Sequence, residues 1–200
     1  MDFFTFIIWF TVIGVIVVLV VSLVYADEVA TKFKRQLQSI PEFSSGMQYI
    51  SVSCKNAIAL DLERKKIAVF LNPIKIMSLE TKPIVYPFED LIAVEVVRDD
   101  ASVVKTNRGS QAAGAAVGGI LLGPAGMLIG GLSGSRREES KIKKLSIKLY
   151  TDDLIRPVQE VLFWDSSVGV DVDQIKPIFA DLDQWYGRLR VIVERQSRAN

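Results

Sequence analysis

The sequence predicts an α+β protein: an apolar N-terminal helix, an antiparallel β-rich domain and a C-terminal amphipathic helix. Three observations predict it. Residues 3–25 carry no charge. From about Tyr49 the apolar residues recur at every second position, which is the period of strands. From Ile175 to Val193 they recur at spacings of three, four and seven, which is the period of a helix with one buried face.

The first element is a membrane anchor. Its run of Phe, Ile, Val and Leu, at about 1.5 Å per residue, covers a hydrocarbon core of about 30 Å. Phe3, Phe4, Phe6, Trp9 and Phe10 crowd one end and Tyr25 marks the other, where aromatic side chains favour the lipid–water interface. Asp2 alone precedes the run as a charge, whereas Lys32, Lys34 and Arg35 follow it. The positive-inside bias then puts the C-terminal side in the cytoplasm. A cleaved signal peptide is the rival reading, because Val24-Tyr25-Ala26 has suitable small-residue spacing. The missing N-terminal positive charge and the length of the run favour a retained anchor. A single-pass protein of the cell inner membrane is expected.

Residues 27–44 continue as a membrane-proximal stalk, with Val29, Phe33, Leu37 and Ile40 at near-helical spacing and Pro41 at the end. The folded domain then occupies 45–200. Ile58, Leu60 and Leu62 alternate with Ala59 and Asp61, Glu63-Arg64-Lys65-Lys66 makes a charged turn, and Ile67, Val69 and Leu71 alternate again. That pattern is a hairpin. Further strands are expected at 74–79, 91–97, around Val103-Val104, at 145–149 and at 157–164, the last ended by the polar stretch Asp165-Ser166-Ser167. The closing helix carries Ile175, Ile178, Phe179, Leu182, Trp185, Tyr186, Leu189, Ile192 and Val193 on its apolar face. Asp173 is its expected N-cap, and Pro177 falls within the first turn, where it is tolerated. Trp185 and Tyr186 read as core.

Six or seven short strands closed by one helix resemble a pleckstrin-homology-like (PH-like) domain, and the run from Tyr86-Pro87-Phe88-Glu89-Asp90 into Leu91-Ile92-Ala93-Val94-Glu95 resembles a strand entry of bacterial members. A lipocalin-like or unrelated α+β roll is the other architecture compatible with the pattern. The resemblance implies a partly open antiparallel β-roll or barrel plugged by the last helix. It also implies a role in binding lipid, peptide or protein rather than in catalysis.

A glycine-rich apolar insert, 109–135, interrupts this domain. Gly114 with Gly118, Gly119 with Gly123, Gly126 with Gly130, and Gly130 with Gly134 are each four apart. On a helix that spacing lines small residues along one side and lets backbones approach closely. Phosphate-loop patterns are absent, and Ile120, Leu121, Leu122, Met127, Leu128 and Ile129 are too apolar for a Gly/Ser linker. A buried or irregular loop is the plainer alternative. Pro124 breaks any straight helix in the middle, so a helical hairpin is expected rather than a second crossing, which would split one sheet across a bilayer. Basic residues follow at Arg136, Arg137, Lys141, Lys143 and Lys144. They suit contact with anionic lipid, although Glu138 and Glu139 among them fit a solvated charged loop equally well.

The chain has no histidine and a single cysteine, Cys54, which removes the commonest general base, the commonest metal ligand and any internal disulfide. With 24 basic against 23 acidic residues, nothing global points to nucleic acid. No enzyme activity, metal or cofactor is expected. The expected function is that of a membrane-anchored scaffold, forming homo-oligomers and binding a protein or lipid partner. The alternative is a membrane-permeabilising effector of a stress or phage-defence system.

Overall fold

The computed structural model describes residues 3–71, 83–108 and 141–199. The strand expected at 74–79 and the insert at 109–135 lie outside them.

The first helix, α1, is one uninterrupted element from Phe3 to Gln38. Its large apolar side chains up to Tyr25 are exposed on every face. Of the described residues, α1 alone forms a helix long and apolar enough to cross a membrane. Beyond Tyr25 the same helix turns amphipathic, and Phe33 and Leu37 become buried.

Among the described residues eight strands follow, in two four-stranded antiparallel sheets rather than a closed barrel. The first sheet takes β1 (Met47–Ser51), β2 (Asn56–Asp61), β3 (Lys66–Phe70) and β4 (Ile84–Pro87) in chain order. A short 3₁₀ turn, Phe88–Asp90, leads into the second sheet. Its strands are β5 (Leu91–Arg98), β6 (Ala101–Asn107), β7 (Lys141–Thr151) and β8 (Val158–Asp171), ordered β6-β5-β7-β8. The closing helix, α2, runs Lys176–Ala199.

The main core lies between the sheets and α2. Ile58, Leu60, Ile67 and Val69 come from the first sheet; Val94, Val96, Ile147, Leu149 and Phe163 come from the second. Phe179, Leu182, Trp185, Tyr186, Leu189 and Val193 come from α2, so the helical stripe read from the sequence is the plug of the roll. Tyr49 stacks on Phe163 at 4.3 Å between ring centroids and lies 6.4 Å from Trp185, joining β1, β8 and α2.

Two sequence expectations need correcting. Asp165-Ser166-Ser167 does not end the last strand, which continues to Asp171. Lys144 pairs with Asp165 while Ile142 pairs with Val170, so the polar residues sit in a bulge. There Ser166 Oγ donates to the Val168 carbonyl at 2.8 Å. Bulges absorb extra residues without ending a ladder. Gly169 allows the strands to close again, because a Cβ there would lie 2.7 Å from Lys141 Cβ. Asp173 does not cap α2 but lies inside a short turn whose own N-cap is Asp171. A 3₁₀ turn, Val172–Ile175, precedes the helix, and Gln174 Oε1 accepts the Asp171 N–H at 3.3 Å in a capping box. Asp173 instead pairs with Lys176 at 2.7 Å.

Candidate anchor seam and its two ends

All six residues of β2 are buried, which a sheet with one wet face would not allow. The second cover is α1. Phe33 and Leu37 pack on Ala57, Ala59, Ala68 and Phe70, with Ile40, Phe43 and Ile50 around them. Phe33 meets Phe70 edge-on at 5.4 Å. Three of the four sheet residues are alanine, so the helix can approach the strands closely.

The seam has a direction. At one end Lys55 Nζ, in the turn between β1 and β2, lies 5.7 Å from the centre of the Tyr25 ring. At the other end the chain after α1 is tied to the turn between β2 and β3. Asp61 Oδ2 accepts the Ser44 N–H at 2.7 Å, Asp61 Oδ1 accepts the Arg64 N–H at 2.9 Å, and Arg64 Nη1 sits 3.4 Å from Oδ2. Lys66 reaches Glu42 at 3.8 Å. Helix and strands therefore run side by side from the Tyr25–Lys55 end to the Asp61–Lys66 end, about 20 Å along the helix from Tyr25 to Gln38. Burial works to raise the Asp61 carboxyl, but the donors from Arg64 and Ser44 outweigh it and hold the group below its ordinary range.

The insert attaches to the second sheet at two separated points. Arg108 leaves β6 with its N–H bonded to the Ile92 carbonyl at 3.0 Å. Lys141 enters β7 opposite Asp171, and β7 reaches Arg98, the last residue of β5, only at Leu145. Departure and return are thus about 30 Å apart along the strands.

Of the residues singled out from the sequence, Gly114, Gly118, Gly119, Gly123, Pro124, Gly126, Gly130, Gly134, Arg136 and Arg137 fall outside the described residues. Lys141 and Lys143 are exposed at the start of β7. Lys144 is engaged, with its Nζ 3.2 Å from Asp100 and 3.0 Å from Glu160. Burial disfavours its charge, but hydrogen bonds to these carboxylates raise its pKa. The backbone N–H groups of Lys143 and Lys144 both donate to Asp99 Oδ1 at 2.9 Å. Among the described residues no group of His, Cys, Asp and Glu is arranged to hold a metal ion.

The sequence reading missed the α1–sheet seam. Its signal was present: Ala57, Ala59 and Ala68 occupy the strand positions opposite in phase to Ile58, Leu60, Ile67 and Val69, where a wet face would carry polar residues.

The chain from β1 into β8, with the insert between β6 and β7, matches a family model described as a glycine zipper containing PH domain over residues 47–165. The chain belongs to this family. The match begins with β1, spans the insert and ends within β8, so the glycine-zipper PH description covers the interruption as well as the sheets. Two curated relatives are each 25% identical over 121 residues. One is an immunity protein of Bacillus phage SPbeta, with 56% of this chain matched to 58% of that protein. The other is the SPbeta prophage-derived uncharacterized membrane protein YomJ of Bacillus subtilis (strain 168), with 56% of this chain matched to 52% of that protein. The chain spans little more than half the length of the curated relatives it matches. No solved structure matches. The apolar α1 and a membrane protein among the relatives of this glycine-zipper PH chain both speak for association with a membrane.

Proposed function

We propose that this chain is a non-enzymatic scaffold, anchored in the inner membrane by α1, with its PH domain on the cytoplasmic side. The PH domain binds a protein or lipid partner. The glycine-rich insert joins copies of the chain, or touches the membrane, through a hairpin whose small residues include Gly114, Gly118, Gly126 and Gly130.

One observation carries the reading: the anchor helix does not end in a loose tether but enters the folded domain, burying Phe33 and Leu37 against Ala57, Ala59, Ala68 and Phe70. A helix that spans the bilayer and then covers a sheet fixes the height and tilt of that sheet, which a catalytic domain on a linker does not need. Lys32, Lys34 and Arg35, just beyond the apolar run, support the cytoplasmic side. An immunity protein among the relatives favours a protein as the partner over a lipid.

The test uses the intact chain in inverted and right-side-out vesicles. Impermeant maleimide on Ser53→Cys or Leu62→Cys, in a Cys54→Ser background, should label in inverted vesicles only; the opposite pattern would reverse the topology. Crosslinking of the same chain in nanodiscs should trap oligomers, and Gly118→Leu with Gly130→Leu should abolish them if the glycine stripe is the contact.

A further inference from the structure

The outer face of α2 changes character along the helix. In its second half Gln184, Arg188, Val191, Arg195 and Arg198 follow at spacings of four and three, so they share the side opposite Leu182, Trp185, Leu189 and Val193. Val191, Arg195 and Arg198 are exposed. Arg188 is held in place: its guanidinium lies 5.3 Å from the centre of the Trp185 ring, and Nη2 donates to Gln184 Oε1 at 3.0 Å. Glu194, the one acidic residue from Gln184 to Arg198, is bound to Arg190 at 2.6 Å. This face is therefore an apolar spot, Val191, rimmed by cations.

The same domain carries the complementary surface. Leu154 and Ile155, in the turn between β7 and β8, are 98% and 88% exposed. The turn is firmly built, because Asp153 Oδ1 accepts the N–H groups of Ile155 at 2.8 Å and Arg156 at 3.1 Å. It holds two aliphatic side chains outward, where polar residues would serve a solvated loop better. The base of this tip is acidic. The Asp152 N–H bonds to the Asp90 carbonyl at 2.9 Å, which brings Asp152 and Asp153 beside Glu89 and Asp90. Burial, Glu89 and Asp152 all raise the Asp90 carboxyl against the opposing Arg108 guanidinium, and Glu89 and Asp152 are exposed. An apolar knob with an acidic collar fits an apolar spot with a basic rim. Tip and helix face do not cover each other within one chain, since Leu154 and Val191 both stay exposed. They do belong to one region, because α2 also touches the Phe88–Asp90 turn from which the collar begins.

We infer that a second copy of this chain covers the Leu154–Ile155 tip, seating it against Val191 and the flanking arginines of its α2. The pairing is twofold, each tip meeting the other copy's helix, as a self-complementary surface allows. The contact goes beyond the proposed scaffold role: it is made by the sheet domain and α2 and needs no contact through the glycines.

The experiment mixes two differently tagged full-length chains in detergent, both Cys54→Ser, one with Leu154→Cys and the other with Val191→Cys. A short bis-maleimide should join unlike chains in preference to like ones. Glu89→Arg with Asp152→Arg on the first chain should cut that yield about tenfold, and Arg195→Glu with Arg198→Glu on the second should restore it. Restoration is the outcome that a misfolded variant cannot give. Yields indifferent to these reversals, or joining of like chains only, would overturn the proposal. No crosslink between copies would overturn the second-copy assignment and leave the tip to a basic surface of another protein. Gly118→Leu with Gly130→Leu on both chains separates this contact from the scaffold reading. The crosslink should survive them, and its loss would overturn the claim that the domain pairs without the glycines.

Discussion

At the scale of single residues, Asp61 ties more of the molecule together than its size suggests. Its side chain is fully buried and receives N–H groups from both the α1–β1 connection and the β2–β3 turn. Asp61→Ala would leave two backbone donors without an acceptor and should cost about 3 kcal/mol, measured by urea unfolding of the intact chain in detergent. Arg64 is half-exposed, so Arg64→Ala should cost well under that, about 1 kcal/mol or less. The pH dependence follows from the sign of the shift. The native pKa of Asp61 is lowered, so its contribution is fully present above the ordinary carboxylate range and drains away as pH falls through it. The stability gap between wild type and Asp61→Ala should therefore close below about pH 4; a gap that widened in acid would reject this account. Gly169 makes a different demand, for space. Gly169→Ala would press a methyl group onto the Lys141 β-carbon and should destabilise by about 1–3 kcal/mol, read from the same unfolding curves.

At the scale of elements, the seam between α1 and the first sheet depends on complementary sizes. Phe33→Ala removes a buried ring from an edge-on pair with Phe70 and should cost about 3 kcal/mol. Ala59→Leu should fail from the opposite cause, by adding bulk where the helix lies against the strands. Both variants should expose residues 39–46 to protease while the core between the sheets and α2 stays intact; equal protection in variant and wild type would mean that α1 contributes nothing to this face. The same seam explains what the sequence could and could not say. The plug helix was legible because Ile178, Phe179, Leu182, Trp185, Tyr186, Leu189, Ile192 and Val193 share one phase, and the hairpin of β2 and β3 because Ile58, Leu60, Ile67 and Val69 alternate cleanly. The seam was not, because alanine at 57, 59 and 68 belongs to neither template: it is small enough for a turn and apolar enough for a core. The run of β8 past Asp165 was hidden for a related reason. Its pairing is set by β7 across a bulge, which no local property of Ser166 and Ser167 announces.

At the scale of the whole molecule, the proposed anchoring makes the seam a positioning device, with a measurable consequence. If α1 crosses the bilayer up to Tyr25 and keeps its direction to Gln38, the turn holding Ser53 and Lys55 stands at the level of the lipid headgroups. The turn holding Leu62 stands about 20 Å further out. The position of Lys55 beside the Tyr25 ring puts a cation at that level, where an anionic leaflet contributes about 1 kcal/mol per charge. A fluorophore on Ser53→Cys should be quenched strongly by headgroup spin labels in nanodiscs, whereas the same fluorophore on Leu62→Cys should be quenched little. Lys55→Glu should weaken quenching at position 53 in anionic lipid and leave it unchanged in neutral lipid. The decisive comparison is with Phe33→Ala and Leu37→Ala together. If packing rather than the chain connection sets the height of the domain, the contrast between the two labels should collapse once the helix is released from the sheet. A contrast that survives that double substitution would place the domain by some other contact, and the seam would then be a stabilising feature without a role in orientation.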